Sequence, residues 1–285
     1  MNNAEHMIRS CHALAKNLVS EMICLLAITF LLSLSAMSVA QTPLPQASDG
    51  EADNTSLKPA QQDGKWGYVG PSGKFLIPPQ FESAGYFSEG RAAVELNGRF
   101  GYISPNGQFV IQPRYFRAGP FKDGFAWVVA RKPLTPFGTG EYGVALYGHV
   151  TYIDHSGREL MRPFSAEYVS NFSEGLAAVR PGKIFGGCSE KVGYLNTSGH
   201  WAIKAQFDEA RDFSEGLAAV NQGGKCHMGG KWGYIDKDGK VAIPLQYDFA
   251  GQFENGHACV KEAGTWKLIN AKGNGVPVKE NECPR

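Results

Sequence analysis

The sequence predicts an all-β protein. The expected architecture is a tandem array of three-stranded antiparallel meanders, propeller-like, with an open β-solenoid as the alternative. Three observations predict it. The 285 residues include 35 Gly, 17 Phe, 11 Tyr and 5 Trp, a balance that favours turns and strands over helices. One short pattern recurs along the chain with a nearly constant spacing. Its apolar residues alternate so that both faces of each predicted sheet are apolar or small, which requires cover on both sides.

The pattern begins with an aromatic-glycine-tyrosine core. Lys65-Trp66-Gly67-Tyr68-Val69 aligns with Arg99-Phe100-Gly101-Tyr102-Ile103, His149-Val150-Thr151-Tyr152-Ile153 and Lys191-Val192-Gly193-Tyr194-Leu195. Lys231-Trp232-Gly233-Tyr234-Ile235 and Thr265-Trp266-Lys267-Leu268-Ile269 complete the set. Six residues after the first Gly position stands a second glycine: Gly73, Gly107, Gly157, Gly199, Gly239 and Gly273. A third landmark, Phe followed by two residues and Gly, ends at Gly90, Gly124, Gly175, Gly216 and Gly256.

Each unit reads as three strands. Ala92-Ala93-Val94, Leu176 to Val179 and Leu217 to Val220 form a first strand, and the Trp-Gly-Tyr segments a second. Asn97-Gly98 between them is a strong two-residue hairpin signal, and Ala263-Gly264 holds the same place in the last unit. The second strand ends in turns such as Ser104 to Gly107 and Asp236 to Gly239, whose glycine calls for a positive φ. Phe75 to Ile77, Phe109 to Ile111 and Val241 to Ile243 form the third strand, and a loop leads to the next unit. Five full units follow an N-terminal pair of strands lacking the first, filling residues 64–278, with a tail at 279–285.

Residues 1–63 lie outside the repeats. Met22 to Ala40 carries no charge, Arg9 and Lys16 precede it, and Ser38-Val39-Ala40 places small residues before Gln41. Residues 1–40 therefore read as a signal peptide; an uncleaved membrane anchor at 22–40 is the alternative. The rest of the chain is expected to be exported, periplasmic or extracellular. Residues 41–63 hold three Pro and few apolar side chains and read as a disordered linker.

These motifs resemble the WG-repeat proteins of bacteria. Lys231 to Tyr247 carries the pattern most fully, and the likeness covers nearly everything after the linker. The resemblance implies an all-β repeat array, often exported, with no established enzymatic activity and no assigned ligand. Unit 3 departs at Thr151 and Val150, and the last unit at Lys267-Leu268, as a terminal cap would. The framework residues it assigns are Trp66, Gly67, Tyr68, Gly101, Tyr102, Tyr152, Gly193, Tyr194, Trp232, Gly233, Tyr234 and Trp266.

The first hairpin varies most. The Val-to-Trp-position spacing is 6 residues in Val94 to Phe100 and Val260 to Trp266, but 22, 13 and 12 in the three units between. All three insertions lie on the same hairpin of consecutive units, so they form one rim, as binding faces of repeat arrays do. The largest brings Phe137, Tyr142 and Tyr147; the second brings Phe185. Aromatic loops of this kind suit protein or sugar contacts, and tolerated surface insertion is the structural alternative.

Other motifs are absorbed by the repeat. Gly138-Thr-Gly140-Glu-Tyr-Gly143 matches a dinucleotide fingerprint but opens no helix. Asp236-Lys-Asp238-Gly239 resembles a calcium loop without its downstream Glu. Glu89, Asp123, Glu174 and Glu215, with Lys65, Arg99, Lys191 and Lys231, supply one acid and one base per unit. Their repetition predicts structural pairing rather than catalysis. Four cysteines follow the export signal, and Cys188–Cys226 with Cys259–Cys283 is the favoured pairing. A zinc site of Cys188, Cys226 and His227 is the alternative, lacking a C-x-x-C.

The net charge of +1 gives no nucleic-acid footprint. The functional expectation is an exported, non-enzymatic scaffold that binds a protein or cell-envelope component through the hairpin rim. The alternatives are a carbohydrate- or peptidoglycan-binding module and a hydrolase sited on the 131–148 insertion. No cofactor and no metal are expected, and a membrane only through an uncleaved N-terminal segment.

Overall fold

The repeating element is a four-stranded antiparallel sheet whose successive copies are locked together by one buried tyrosine each. The computed structural model describes residues 57–131, 139–140, 143–144, 148–182, 190–225, 228–277 and 283. The chain divides into two units, Met1–Ala52 and Asp53–Arg285, and every described residue belongs to the second. The expected signal peptide lies outside the described residues. Among the described residues no helix is long and apolar enough to cross a membrane.

Unit 1 is built from β1 (Lys58–Gln62), β2 (Lys65–Val69) and β3 (Phe75–Phe81), and unit 2 from β4 (Ser83–Ala84), β5 (Ala92–Leu96), β6 (Arg99–Ile103) and β7 (Phe109–Tyr115). Unit 3 holds β8 (Arg117–Ala118), β9 (Phe125–Arg131), the small hairpin β10 (Thr139–Gly140) and β11 (Gly143–Val144), and β12 (Gly148–Asp154). Next come β13 (Phe164–Val169), and then β14 (Leu176–Pro181), β15 (Val192–Asn196) and β16 (Trp201–Phe207) of unit 4. Unit 5 is β17 (Glu209–Ala210), β18 (Ala218–Lys225), β19 (Met228–Ile235) and β20 (Val241–Tyr247). Unit 6 is β21 (Phe249–Ala250), β22 (His257–Glu262), β23 (Thr265–Asn270) and β24 (Gly275–Val276).

The architecture is the expected all-β, propeller-like array, with two differences. Units 2, 3, 5 and 6 each have a fourth strand of two residues, hidden in what reads as a loop: Ser83↔Glu95 and Ala84↔Val94 join β4 to β5. Two residues are too short for an alternating pattern to register. The first unit also has its first strand, because β1 pairs with β2 from Lys58↔Val69 to Gln62↔Lys65. The repeat domain therefore begins inside the segment expected to be linker. Its polar side chains hide it, since the strand is held by backbone pairing and by Leu57, buried against Tyr68 and Ile77. The signal for it is Asp63-Gly64, both at positive φ (49° and 75°), the turn of a two-residue hairpin.

The inner strands are buried on both faces, as their composition demands, whereas the outer third strands alternate between buried and exposed positions. The core lies between consecutive units: Tyr102, Ile111 and Tyr115 of unit 2 meet Phe121, Ala126 and Val128 of unit 3, and Tyr194 and Ile203 meet Phe213 and Val220 one unit on. The tyrosine is the staple. Tyr68, Tyr102, Tyr152, Tyr194 and Tyr234 are each fully buried. Each donates its hydroxyl to a backbone carbonyl of the next unit, at Gly85, Gly119, Ser170, Arg211 and Gly251, over 2.7–2.8 Å. Each ring also packs on a phenylalanine of that next unit, as Tyr102 does on Phe121 at 4.8 Å and Tyr234 on Phe253 at 4.8 Å.

The first glycine of the motif is fixed by a close backbone crossing. A Cβ on Gly101 would lie 2.5 Å from Ile111 O and 2.7 Å from Pro113 N, and Gly193 and Gly233 face the same crossing. Thr151 occupies this place in unit 3, and the crossing is absent there. β13 meets β12 only at Gly148–Val150, and the Thr151 hydroxyl instead donates to Met161 O at 2.7 Å. β13 runs on to pair with β14, so units 3 and 4 share one seven-stranded sheet. In unit 6 Lys267 replaces the glycine, and β24 is short, reaching only Leu268 and Ile269. Leu268 stands in for the staple tyrosine.

Candidate functional site

The hairpins expected to form the rim all leave from the same end of their sheets. They are the connections β5–β6, β9–β12, β14–β15, β18–β19 and β22–β23. The roots of β5–β6, β18–β19 and β22–β23 are clamped by an acid in the link from the preceding unit. Glu82 Oε2 accepts from Gly98 N at 2.8 Å, Asp208 Oδ2 from Gly224 N at 3.2 Å and Asp248 Oδ2 from Gly264 N at 3.4 Å. The same acids pair with the base that opens the second strand: Lys65–Glu82 at 4.0 Å, Lys231–Asp248 at 2.6 Å, and Lys191–Asp208. Each acid thus ties one unit's second strand to the next unit's hairpin. The Lys231 ammonium and the Gly264 N–H hold the Asp248 carboxyl below its usual range. For Asp208, burial opposes ionisation, but Lys191 and Gly224 N–H outweigh it and the pKa falls. In the link from unit 2 to unit 3 the acid is replaced by Phe116, and Arg99 lies 3.9 Å over its ring.

This arrangement corrects the expected pairing of bases with turn acids. Glu89, Asp123, Glu174 and Glu215 sit at the opposite end of the sheets from Lys65, Arg99, Lys191 and Lys231, so they cannot meet. They form a ladder instead. Each accepts from the landmark glycine N–H of the next unit: Gly124 at 3.0 Å, Gly175 at 2.8 Å, Gly216 at 3.1 Å and Gly256 at 2.8 Å. Ser88, Ser173 and Ser214 donate to Phe121, Phe213 and Phe253 carbonyls alongside. His155 and Lys237 reach Glu89 and Glu174 at 3.1 Å and 3.0 Å. The acids therefore hold units in register.

Beside the ladder stands the half-buried Asp212. Burial pushes it above the usual carboxylate range, against a hydroxyl bond from Ser170 and the charge of Lys122. At the calcium-like turn, Asp236 Oδ1 accepts from Asp238 N at 3.0 Å and Lys240 N at 2.9 Å. Asp154, Asn196 and Asn270 do the same in other units, so turn chemistry accounts for the motif. No cluster of three or more His, Cys, Asp or Glu with metal-site geometry occurs among the described residues.

Phe137, Tyr142, Tyr147 and Phe185 lie outside the described residues, as do Cys188, Cys226 and His227. Within the largest insertion, Thr139↔Val144 and Gly140↔Gly143 pair as β10 and β11. Gly140 and Gly143 of the dinucleotide-like motif thus pair with each other across two antiparallel strands. Cys259 and Cys283 form a disulfide, with Cα atoms 5.7 Å apart. It pins the tail over the last sheet, where Cys259 pairs with Leu268. Sequence reasoning missed the link acids Glu82, Asp208 and Asp248; their constant 17-residue offset from Lys65, Lys191 and Lys231 is the signal that could have found them.

The WG containing repeat model matches residues 66–100, 100–130, 193–226 and 232–266. The chain is a WG-repeat protein. The unmatched stretch between the second and third copies coincides with Thr151 and the shared strand β13. No curated protein matches this WG-repeat chain. Among solved structures it is similar to a eukaryotic initiation factor, at 12% identity and a TM-score of 0.47, covering 77% of this chain and 61% of that one. It is also similar to Hsv2 of Kluyveromyces lactis (10% identity, TM-score 0.39, 68% and 63% covered). The AfRom2 CNH domain is a third (9% identity, TM-score 0.32, 78% and 83% covered). The chain spans about three fifths of the length of the first two. At these scores the likenesses carry no weight for function.

Proposed function

We propose that this WG-repeat chain is an exported, non-enzymatic scaffold whose hairpin rim binds a protein or cell-envelope component. The carrying observation is that the hairpins bearing the insertions, β9–β12, β14–β15 and β18–β19, are the same connection in three consecutive units, and that link acids fix the equivalent roots in units 2, 5 and 6. Insertions on one connection of consecutive units share an end of the array, which is how repeat arrays present a binding face. The opposite end offers little variety: its turn acids and serines are committed to neighbouring units. The Cys259–Cys283 disulfide supports export, because such bonds persist in oxidising compartments.

The test is a triple substitution, Phe137→Ala, Tyr142→Ala and Tyr147→Ala, in affinity capture from envelope extract. The proposal expects loss of a reproducibly captured component with unchanged thermal stability. Unchanged capture by the variant would remove the rim from consideration. Glycan recovered without protein would move the function to carbohydrate binding.

A further inference from the structure

The two end units carry the two halves of a unit–unit junction. At an internal junction, large side chains on the front of one unit meet smaller ones on the back of the next. Tyr68, Ile77 and Phe81 of unit 1 pack on Ala92, Val94 and Ile103 of unit 2. Trp232, Tyr234 and Tyr247 of unit 5 pack on Ala258, Val260 and Ile269 of unit 6. Unit 6 has no following unit to cover its front, and among the described residues no core cluster joins it to unit 1.

Strand register identifies what each end presents. Lys58↔Val69 and Ala60↔Gly67 in unit 1 match Ala92↔Ile103 and Val94↔Gly101 in unit 2. The back of unit 1 therefore presents Ala60, Gly67 and Val69, with Lys58 in the place of Ala92. Ala92, Val94 and Ile103 are fully buried, whereas Ala60 and Val69 are half-buried and Lys58 is exposed. At the other end, Cys259↔Leu268 and Lys261↔Trp266 match Ala93↔Tyr102 and Glu95↔Phe100. The front of unit 6 therefore presents Cys259, Leu268 and Trp266. Leu268 is nevertheless only 8% exposed. The tail lies on this face, held by the Cys259–Cys283 disulfide, with Cys283 Sγ 3.9 Å from Lys267 O.

We propose that the tail plugs an assembly face. Once Cys259–Cys283 is reduced, the front of unit 6 takes the back of unit 1 of a second copy, continuing the array's own junction. The reductant is a dithiol: it gives up two electrons and two protons, the two cysteines become thiols, and the dithiol closes to its own disulfide. The contact is front to back because large residues then meet small ones, as inside the array. Two fronts would set Leu268 and Trp266 against the same bulky pair, and two backs would bring the exposed Lys58 of each copy together. A front-to-back contact is heterologous, so it repeats from copy to copy. It is separate from the hairpin rim and does not rest on it.

The test is analytical ultracentrifugation of the chain from Gln41 onward, oxidised and then reduced with dithiothreitol. The oxidised chain is expected to sediment as a monomer. The reduced chain is expected to show an average mass that rises with concentration past twice the monomer. A Cys259→Ser, Cys283→Ser double variant should do the same without reductant, which isolates this disulfide from Cys188 and Cys226. In that background Val69→Asp spoils the back and Leu268→Asp the front, so each alone should stay monomeric. Their equimolar mixture should form a one-to-one dimer, since one supplies an intact front and the other an intact back. If Leu268→Asp loses the wild-type circular dichroism, Cys259→Glu with Cys283→Ser places a charge on the same front in its stead. A reduced chain or a double variant that stays monomeric, a mixture that forms no dimer, or wild-type assembly by either charged variant alone would each overturn the proposal.

Discussion

Substituting Gly101 by alanine tests the central packing device of the repeat. The new Cβ would stand 2.5–2.9 Å from Ile111 O, Pro113 N and Gln112 C, all of them backbone atoms. That is roughly 1 Å short of ordinary van der Waals separation. No rotamer change relieves it, so β7 must move off β6. Overpacking of this kind costs about 3 kcal/mol, or roughly 6–12 °C in midpoint temperature for a domain of this size. The internal control is Gly98→Ala. Gly98 has φ of 67° and nothing within 4 Å of its Cβ, so it should cost about 1 kcal/mol from backbone conformation alone. Urea unfolding followed by circular dichroism measures both. The converse change, Thr151→Gly, removes a buried hydroxyl bond to Met161 O and should destabilise by about 1–2 kcal/mol. A Gly101→Ala cost no larger than that of Gly98→Ala would refute the close-crossing explanation.

The remaining predictions concern the staples, the cap and the titrating groups. Tyr194→Phe removes one hydroxyl bond to Arg211 O and should cost about 1 kcal/mol, read by urea unfolding; a neutral result would contradict the staple. Cys283→Ser opens a crosslink spanning 24 residues and should cost about 3 kcal/mol in the chain-entropy account, with faster hydrogen exchange confined to β22 and β23. Asp212 has its folded pKa raised by burial, so stability falls as pH rises from its unfolded pKa through its folded one, and a penalty persists above. Asp212→Asn should therefore raise the midpoint at pH 7 and lose that advantage near pH 3. Asp154 is lowered to about 2, chiefly by the Ser156 hydroxyl. Its contribution is present above the unfolded pKa and disappears as pH falls through the folded value; Ser156→Ala should move its NMR titration upward.

Much of this architecture is legible in the sequence because the repeat encodes local geometry. The second glycines, Gly107 and Gly239 among them, do adopt positive φ, at 83° and 80°, and the segments apolar on both faces do mark the buried inner strands. What stays hidden depends on contacts between units. The two-residue strands beginning at Ser83 and Arg117 are held only by pairing with the following strand. β1 has polar side chains and is defined by β2. The turn acids look like partners for the bases because both recur, yet the sheet separates them, and the backbone N–H of the next unit takes the acid instead. Thr151 shows the reverse case: its departure from the motif is plain in sequence, and its consequence, the fusion of two units through β13, needs the third dimension.

The most direct test of the binding-face account places a photo-cross-linking residue at Tyr142, on the rim insertion, or at Asp238, whose side chain is 75% exposed at the other end of unit 5. Each variant is irradiated in envelope extract, and adducts are identified by mass spectrometry. The account predicts a reproducible adduct from position 142 that is missing from position 238. An adduct from position 238 alone, or equal adducts from both, would contradict it.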